Sequence, residues 1–334
     1  MNIYDVAKLS KVSIATVSRV LNNSEKVSQK TKDKIIGVME EYGYKPNVFA
    51  RGLNLNSVKV VGILCPDIDD RYMAKGVSCL EKELRNFGYD CILMCTGYDY
   101  DFKVACVNSL IERRIDALIL VGSNYAKDNG KSDVDYLKKA AEKMPIILIN
   151  GCINSKNIYS VLTDNKKAVY DVTSRMIKKG KKNILFLYDS YSYSLKKKML
   201  GYELAINENN LVQNKLFVPN DISKALRILE EKKIDFDGVI ASEDNMAIAA
   251  LKYSNRYDLK AMIVGFNNSD VCLVGDIELS SIDSRIEKLA SMSVDTLIKV
   301  INNESVKKKQ VIDCLYIERD TSKLWRLLWT KISY

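Results

Sequence analysis

Ser13, Thr16, Ser18 and Arg19 gather three hydroxyls and one guanidinium within residues 13–19, SIATVSR. A hydroxyl, like the N–H groups at a helix start, donates to a phosphate oxygen. A guanidinium can lay two parallel N–H bonds on the O6 and N7 edge of guanine. No histidine occurs in the 334 residues. That excludes Ser-His-Asp and Cys-His catalysis, a His general base and His-ligated zinc. The eight cysteines form no Cys-x-x-Cys pair, and most stand in apolar runs such as VVGILC and CILMC, so they read as buried thiols. No GxGxxG follows an apolar run and no phosphate-loop pattern occurs. Asp69 and Asp70 read as solvated loop charges. No catalytic residue, metal or cofactor is expected, and the chain is not expected to be an enzyme.

Elements that could position the 13–19 cluster follow from caps and spacing. Asn2 and Asp5 suit an Asn variant of the capping box, starting a helix through Val6, Ala7 and Leu9 that stops near Ser10-Lys11. Ser13 caps a second helix in which Val17, Val20 and Leu21 share one face. Ala15, Thr16, Ser18, Arg19 and Asn22 fall on the other. Ser28 caps a third, carrying Thr31, Ile35, Val38, Met39 and Tyr42, which Gly43 can end and Pro46 blocks. This is a helix-turn-helix unit braced by a third helix. Its slim, hydroxylated second helix suits a DNA groove; a three-helix protein-binding module shares the geometry and stays open at this point.

Charge separates this head from the rest. Residues 1–57 hold nine Lys+Arg against five Asp+Glu, and residues 58–334 hold 42 against 37, within a total of +9. A basic head on a near-neutral body suggests a polyanion partner for the head and another task for the body. The body alternates apolar runs (58–65, 89–95, 117–121, 145–150, 183–188, 238–242, 261–266) with helical patterns at 73–87, 103–114, 135–143, 166–179, 196–209, 223–232 and 245–254. Such alternation predicts parallel sheets covered on both faces. The number of runs predicts two α/β subdomains with a ligand cleft at the carboxyl ends of their strands. No run is long and apolar enough for a membrane span, and no signal peptide is read at the start, so a cytoplasmic location is expected.

Residues 5–53 resemble the DNA-binding head of the lactose-repressor (LacI/GalR) family of bacterial regulators. DVA, VS, TVSRVLN, VS, GY, PN and AR stand in family order. VGILCPDIDDRYM, ERRIDALIL, TDN at 163–165, GYELAI and VGFN extend the resemblance to about residue 322. It implies an all-α helix-turn-helix head (1–46), a hinge helix and linker (47–57), and an α/β two-subdomain, periplasmic-binding-protein-like sensor body (58–322). Three crossings would divide that body into subdomain 1, about 58–160 and 284–309, and subdomain 2, about 161–283 and 310–322.

The resemblance also assigns roles. DNA contacts would come from Ile3, Tyr4, Ser13, Ile14, Ala15, Thr16, Ser18, Arg19 and Asn22, with Asn47, Ala50 and Leu53 from a hinge that orders on DNA. Ile14 and Ala15 at the base-reading positions are apolar, suited to thymine methyls. Leu53 would wedge a minor-groove step. The effector would meet Lys198, Glu243, Asp244 and Asn267. Here the chain departs from the family, which has Arg, Asn and Asp at 198, 243 and 267. The implied protein is a repressor, a homodimer with higher oligomers left open, reading a near-palindromic operator through both grooves under control of a small polar effector, a sugar or derivative. Tyr72 and Met73 are the candidate dimer contacts. The alternatives are a small-molecule binding protein, or a regulator whose cleft stays unliganded because Lys198 and Glu243 pair. The tail 323–334 has an amphipathic stripe (Trp325, Leu328, Trp329, Ile332) expected to pack or self-associate.

Overall fold

Asn2 starts the first helix as its type predicts. Its Oδ1 accepts from the Tyr4 and Asp5 amides at 2.9 and 3.2 Å, and Asp5 Oδ2 accepts from the Asn2 amide at 2.8 Å. The computed structural model describes residues 1–21, 26–44, 57–126 and 134–323. The chain divides into two compact units, residues 1–60 with 114–116 and all the rest.

The head holds α1 (Ile3–Leu9), α2 (Ile14–Leu21) and α3 (Gln29–Glu41). Ser10 closes α1, and Lys11, with φ of 52°, turns the chain toward α2. Gly43 closes α3 with φ of 63°, and the Tyr44 amide bonds back to the Met39 carbonyl at 2.8 Å. That is the left-handed helix end glycine favours. Val6, Val17 and Ile35 are fully buried, with Ala7, Val20 and Val27 completing a small core. Each fully buried aliphatic contributes roughly 1.5–3 kcal/mol.

Among its described residues the body has two six-stranded sheets. The first runs β11-β5-β4-β3-β1-β2, built from β1 (Val60–Cys65), β2 (Asp90–Cys95), β3 (Ala117–Val121), β4 (Ile146–Ile149), β5 (Ile158–Thr163) and β11 (Lys309–Ile312). The second runs β12-β10-β9-β8-β6-β7, built from β6 (Ile184–Tyr188), β7 (Asn214–Phe217), β8 (Gly238–Ala241), β9 (Met262–Phe266), β10 (Ser280–Asp283) and β12 (Leu315–Ile317). The β1–β3, β3–β4, β6–β8 and β8–β9 pairs are parallel, and β10–β12 is antiparallel. Helices α4 (Arg71–Asn86), α5 (Tyr100–Glu112), α6 (Asp135–Ala141) and α11 (Ile286–Ile301) accompany the first sheet. Helices α7 (Asn165–Lys178), α8 (Tyr193–Glu208), α9 (Ile222–Lys232) and α10 (Asp244–Arg256) accompany the second.

Central strands β1, β3, β4, β8 and β9 are buried along their whole length, which is why they read as unbroken apolar runs. Edge strands β7 (NKLF) and β11 (KQVI) alternate between half-buried and exposed residues and carry no such signal. Edge position also corrects the cysteine reading. Cys65, Cys106 and Cys272 are buried, but Cys95, on edge strand β2, is exposed and the other four are intermediate.

The subdomain boundaries shift slightly. The first sheet keeps all of β5 to Thr163 and all of β11 to Ile312. The first and third crossings therefore lie about three residues beyond the 160/161 and 309/310 boundaries read from sequence. Gly201, of GYELAI, lets α8 lie against α7: a Cβ there would overlap the Lys166 carbonyl oxygen. The neighbouring Tyr202 is buried and donates to the Ile184 carbonyl at 2.8 Å.

Candidate nucleic-acid interface and ligand cleft

Helix α2 presents two unlike faces. Val17 and Val20 are buried, while Ile14, 41% exposed, stands outward with Ala15 and Arg19. Ser13 Oγ accepts from the Thr16 amide at 3.2 Å and bonds Thr16 Oγ1 at 2.9 Å. These two hydroxyls first serve as the helix cap. Whichever accepts in the pair keeps its own proton for an anion beside the helix start, where the dipole also favours negative charge. Ser18 is half-buried beside Arg19. Tyr4, on α1, is 66% exposed, whereas Ile3 packs partly on the head core. Ile3 is half-buried, as Thr16 and Ser18 are. Asn22, Asn47, Ala50, Leu53 and the stripe in 324–334 lie outside the described residues.

A cavity of about 660 Å³ opens at the carboxyl ends of the body strands. It falls within the roughly 300–1,000 Å³ of small-molecule sites. Its wall includes residues just beyond β3 (Gly122, Ser123), β4 (Asn150), β6 (Asp189), β8 (Ser242, Glu243) and β9 (Asn267). Strand ends supply the wall because parallel strands all point their carboxyl ends one way.

The cleft brings together Lys198, Glu243 and Asn267 from three elements. Lys198 Nζ donates to the Ser242 carbonyl at 2.7 Å, lies 3.6 Å from Glu243 Oε1 and sits 3.6 Å over the Phe266 ring. Asn267, with φ of 91°, donates from Nδ2 to Glu243 Oε2 at 2.6 Å and accepts from Ser284 Oγ at 2.9 Å.

Asp244 is a correction. It lies 3% exposed behind this group, and its oxygens are committed to protein. Oδ1 accepts from Ser281 Oγ at 2.6 Å, and Oδ2 from the Ser269 amide and hydroxyl at 2.7 and 2.8 Å. A Cβ at Gly265 would overlap Oδ1, so glycine there admits the carboxylate. Asp244 ties α10 to β9 and β10.

Tyr72 and Met73 are a second correction. Both line the cleft. Met73 is 8% exposed in the first-sheet core, and the Tyr72 hydroxyl accepts from Asn150 Nδ2 at 2.7 Å. Helical spacing marks Met73, Val77, Leu80 and Leu84 as one buried stripe of α4, so Met73 faces the body interior, while Tyr72 is half-buried at the cleft.

Asn150 Oδ1 also accepts from the Thr163 amide at 3.0 Å, and Asn165 Nδ2 donates to Ser194 Oγ at 2.7 Å. These bonds bind the first crossing to both subdomains at the cleft.

Sequence reasoning missed Asp70, Asp189, Tyr98, Tyr191 and Phe217, which also line the cavity. Asp70 is no loop charge: it caps α4, accepting from the Met73 amide at 3.0 Å. Burial raises both the Asp70 and Asp189 carboxyls above their ordinary value, and Lys198 opposes this in each. Burial pushes Glu243 up to about 8, with Lys198 pulling down and Asp189 and Asp70 pushing further up. Position immediately after an apolar run was the available signal for Asp189.

Two family models match the chain. One, for bacterial regulatory proteins of the lacI family, covers residues 2–47. The other, for periplasmic binding proteins and the sugar binding domain of the LacI family, covers 58–320. An HTH-type transcriptional regulator of Lachnoclostridium phytofermentans is 42% identical, over 96% of this chain and 99% of that protein. Catabolite control protein A of Priestia megaterium is 28% identical, over 92% and 94%. Among solved structures, the lac repressor dimer bound to operator and the anti-inducer ONPF superposes with a TM-score of 0.84, at 19% identity, over 96% of this chain and 99% of that one.

Proposed function

The chain belongs to the lacI family of bacterial regulatory proteins, and from that premise we propose a repressor that releases or grips its operator according to what fills the body cleft. It is a DNA-binding transcription regulator; the repressor role, the effector and the contact residues are the proposal. The observation that carries it is α2: apolar residues buried on one face, and Ile14, Ala15 and Arg19 outward on the other. Arg19 reads a guanine edge, Ile14 and Ala15 meet thymine methyls, and Ser13, Thr16 and Ser18 serve phosphates. Two heads of a homodimer read a near-palindromic site, and Asn47, Ala50 and Leu53 engage the minor groove between them.

The effector is a small polar molecule, a sugar or derivative, held against Lys198, Glu243 and Asn267. The cleft's hydrogen bonds reach the crossings through Ser284–Asn267 and Asn150–Thr163, so filling it biases the angle between subdomains. An effector alters operator affinity only by its differential affinity for the two states. A cytoplasmic location fits this role; among the described residues, no helix is long and apolar enough to cross a membrane.

One observation favours a second reading. Lys198 and Glu243 already pair at 3.6 Å on the second-subdomain side of the cleft, which suits a regulator that needs no effector. A gel shift with DNA upstream of the chain's own and neighbouring genes, repeated across a sugar and nucleoside panel, tests both. A specific shift altered by a ligand supports the first reading, and a shift indifferent to the whole panel supports the second. No specific shift on any of these fragments, checked by footprinting, defeats both.

A further inference from the structure

Among the described residues lining the 660 Å³ cleft, Lys198 is the single cation. It is 5% exposed and already committed to the Ser242 carbonyl, Glu243 and the Phe266 face. Against it stand three carboxyl groups, those of Asp70, Asp189 and Glu243. An adjoining cavity of about 330 Å³ shares these three and adds Asp67, Asp69 and the protein-bonded Asp244 against one further cation, Arg71. Body composition does not account for this, since residues 58–334 carry a net positive charge.

A second observation points to a ligand. Ser242, 2% exposed, lines the cleft with its buried Oγ lacking any hydrogen-bond partner, and the buried Asn220 Oδ1 on the same wall also lacks one. Buried polar atoms are ordinarily satisfied, so a bound molecule with its own donors and acceptors would complete this wall. The rings of Tyr98 and Tyr191, 57% and 59% exposed, also belong to it. Such rings offer flat faces to a sugar ring and an attractive quadrupole to a cation.

We propose that the effector is an amino sugar, a hydroxylated ring bearing a protonated amine, recognised by the carboxylates of Asp70 and Asp189 at the cleft between the subdomains. This rests on the reading of the cleft as the effector site. A sugar phosphate would bring negative charge against Asp70 and Asp189 in a partly dry cavity, where like charges repel strongly. A neutral sugar could donate hydroxyl protons to these acceptors but would bring no charge to offset theirs. The ammonium pairs with Asp189 and Asp70, and the ring hydroxyls meet Ser242 and Asn220.

Calorimetric titration of the full chain tests this with three sets of probes. These are D-glucosamine, D-galactosamine and D-mannosamine; their neutral and N-acetylated counterparts; and the corresponding 6-phosphates. Near pH ~6.5 an amine of ordinary α-amino pKa is mostly protonated. One free amino sugar is expected to bind at least ~tenfold tighter than its neutral and N-acetyl forms, the scale of one charge-assisted pair. Asp189→Asn, checked for fold by its melting curve, should lose about that factor, and Asp189→Glu should recover most of it. A neutral, N-acetylated or phosphorylated sugar binding as tightly overturns the charge argument and leaves the cleft reading standing. Silence from all three sets overturns both.

Discussion

Asn267 donates to Glu243 across 2.6 Å, and that bond requires the amide. An Asp at 267 would face the Glu243 carboxyl with a second one, and once Glu243 ionises, above about pH 8, no donor would remain between the two. Asn267→Asp is expected to destabilise the body by about 1–3 kcal/mol above that pH, the cost of turning a bond into an unsatisfied buried contact. The melting temperature should fall by several degrees, at roughly 2–4 °C per kcal/mol for chains of this size. The loss should shrink as pH falls through about 8, where Glu243 keeps its proton and can donate to the new carboxylate. An unchanged melting temperature at about pH 9 would show that the pair contributes nothing.

Glu243 makes stability depend on pH. Its folded pKa is about 8 against an ordinary 4.5. Between those values the folded state holds a proton that the unfolded chain releases, so stability falls as pH rises through this window. The contribution is fully present below pH 4.5 and is lost as pH passes about 8. Glu243→Gln keeps an acceptor for Asn267 without the ionisation. Relative to wild type it should gain stability from pH 5.5 to pH 8.5 by on the order of 1 kcal/mol. That is well under the full shift, because a quarter of the Glu243 side chain is open to the cleft. Urea melts at the two pH values measure it, and parallel curves for the two proteins would remove Glu243 as the source.

How far this site can be read from sequence depends on whether a signal is local. The head is local: Asn2 with Asp5, and Val17 with Val20, fix caps and faces within a few residues, and the structure has them so. Central strands announce themselves because both faces are buried. Edge strands such as NKLF do not, because solvent takes one face. Met73 and Tyr72 illustrate the harder limit. Spacing marks an apolar stripe on α4, but not what lies opposite it, and here that is the first sheet and the cleft. Asp70 and Asp189 look like solvated loop acids along the chain. They line one cavity only because it opens at the carboxyl ends of strands from both sheets.

Gly201 tests the packing beneath the cleft. It lies where α8 crosses α7, with the Lys166 carbonyl oxygen in the place of a Cβ. Backbone cannot swing aside as a side-chain tip can, so Gly201→Ala must separate the helices. Overpacking of this kind costs about 1–3 kcal/mol or more. Because α8 also carries Lys198 and Leu195 to the cleft, ligand affinity should fall with stability. A variant of full stability in urea would show that the helices part freely.

Arg19 offers the sharpest test of the head. It is exposed on α2, opposite Val17 and Val20, so its removal leaves the three-helix core intact. Arg19→Ala should melt like wild type yet lose about 1–3 kcal/mol of specific operator affinity, roughly 5- to 150-fold. It should also relax preference at one base pair in each half-site, since a bidentate contact discriminates and a point charge does not. Arg19→Lys keeps the charge and loses the fork, so it should retain weak, salt-sensitive binding with the same relaxed base preference. If both variants bind every half-site variant with an unchanged ranking, and only the salt dependence moves, Arg19 is a phosphate contact. Base recognition would then rest on neighbouring residues of α2.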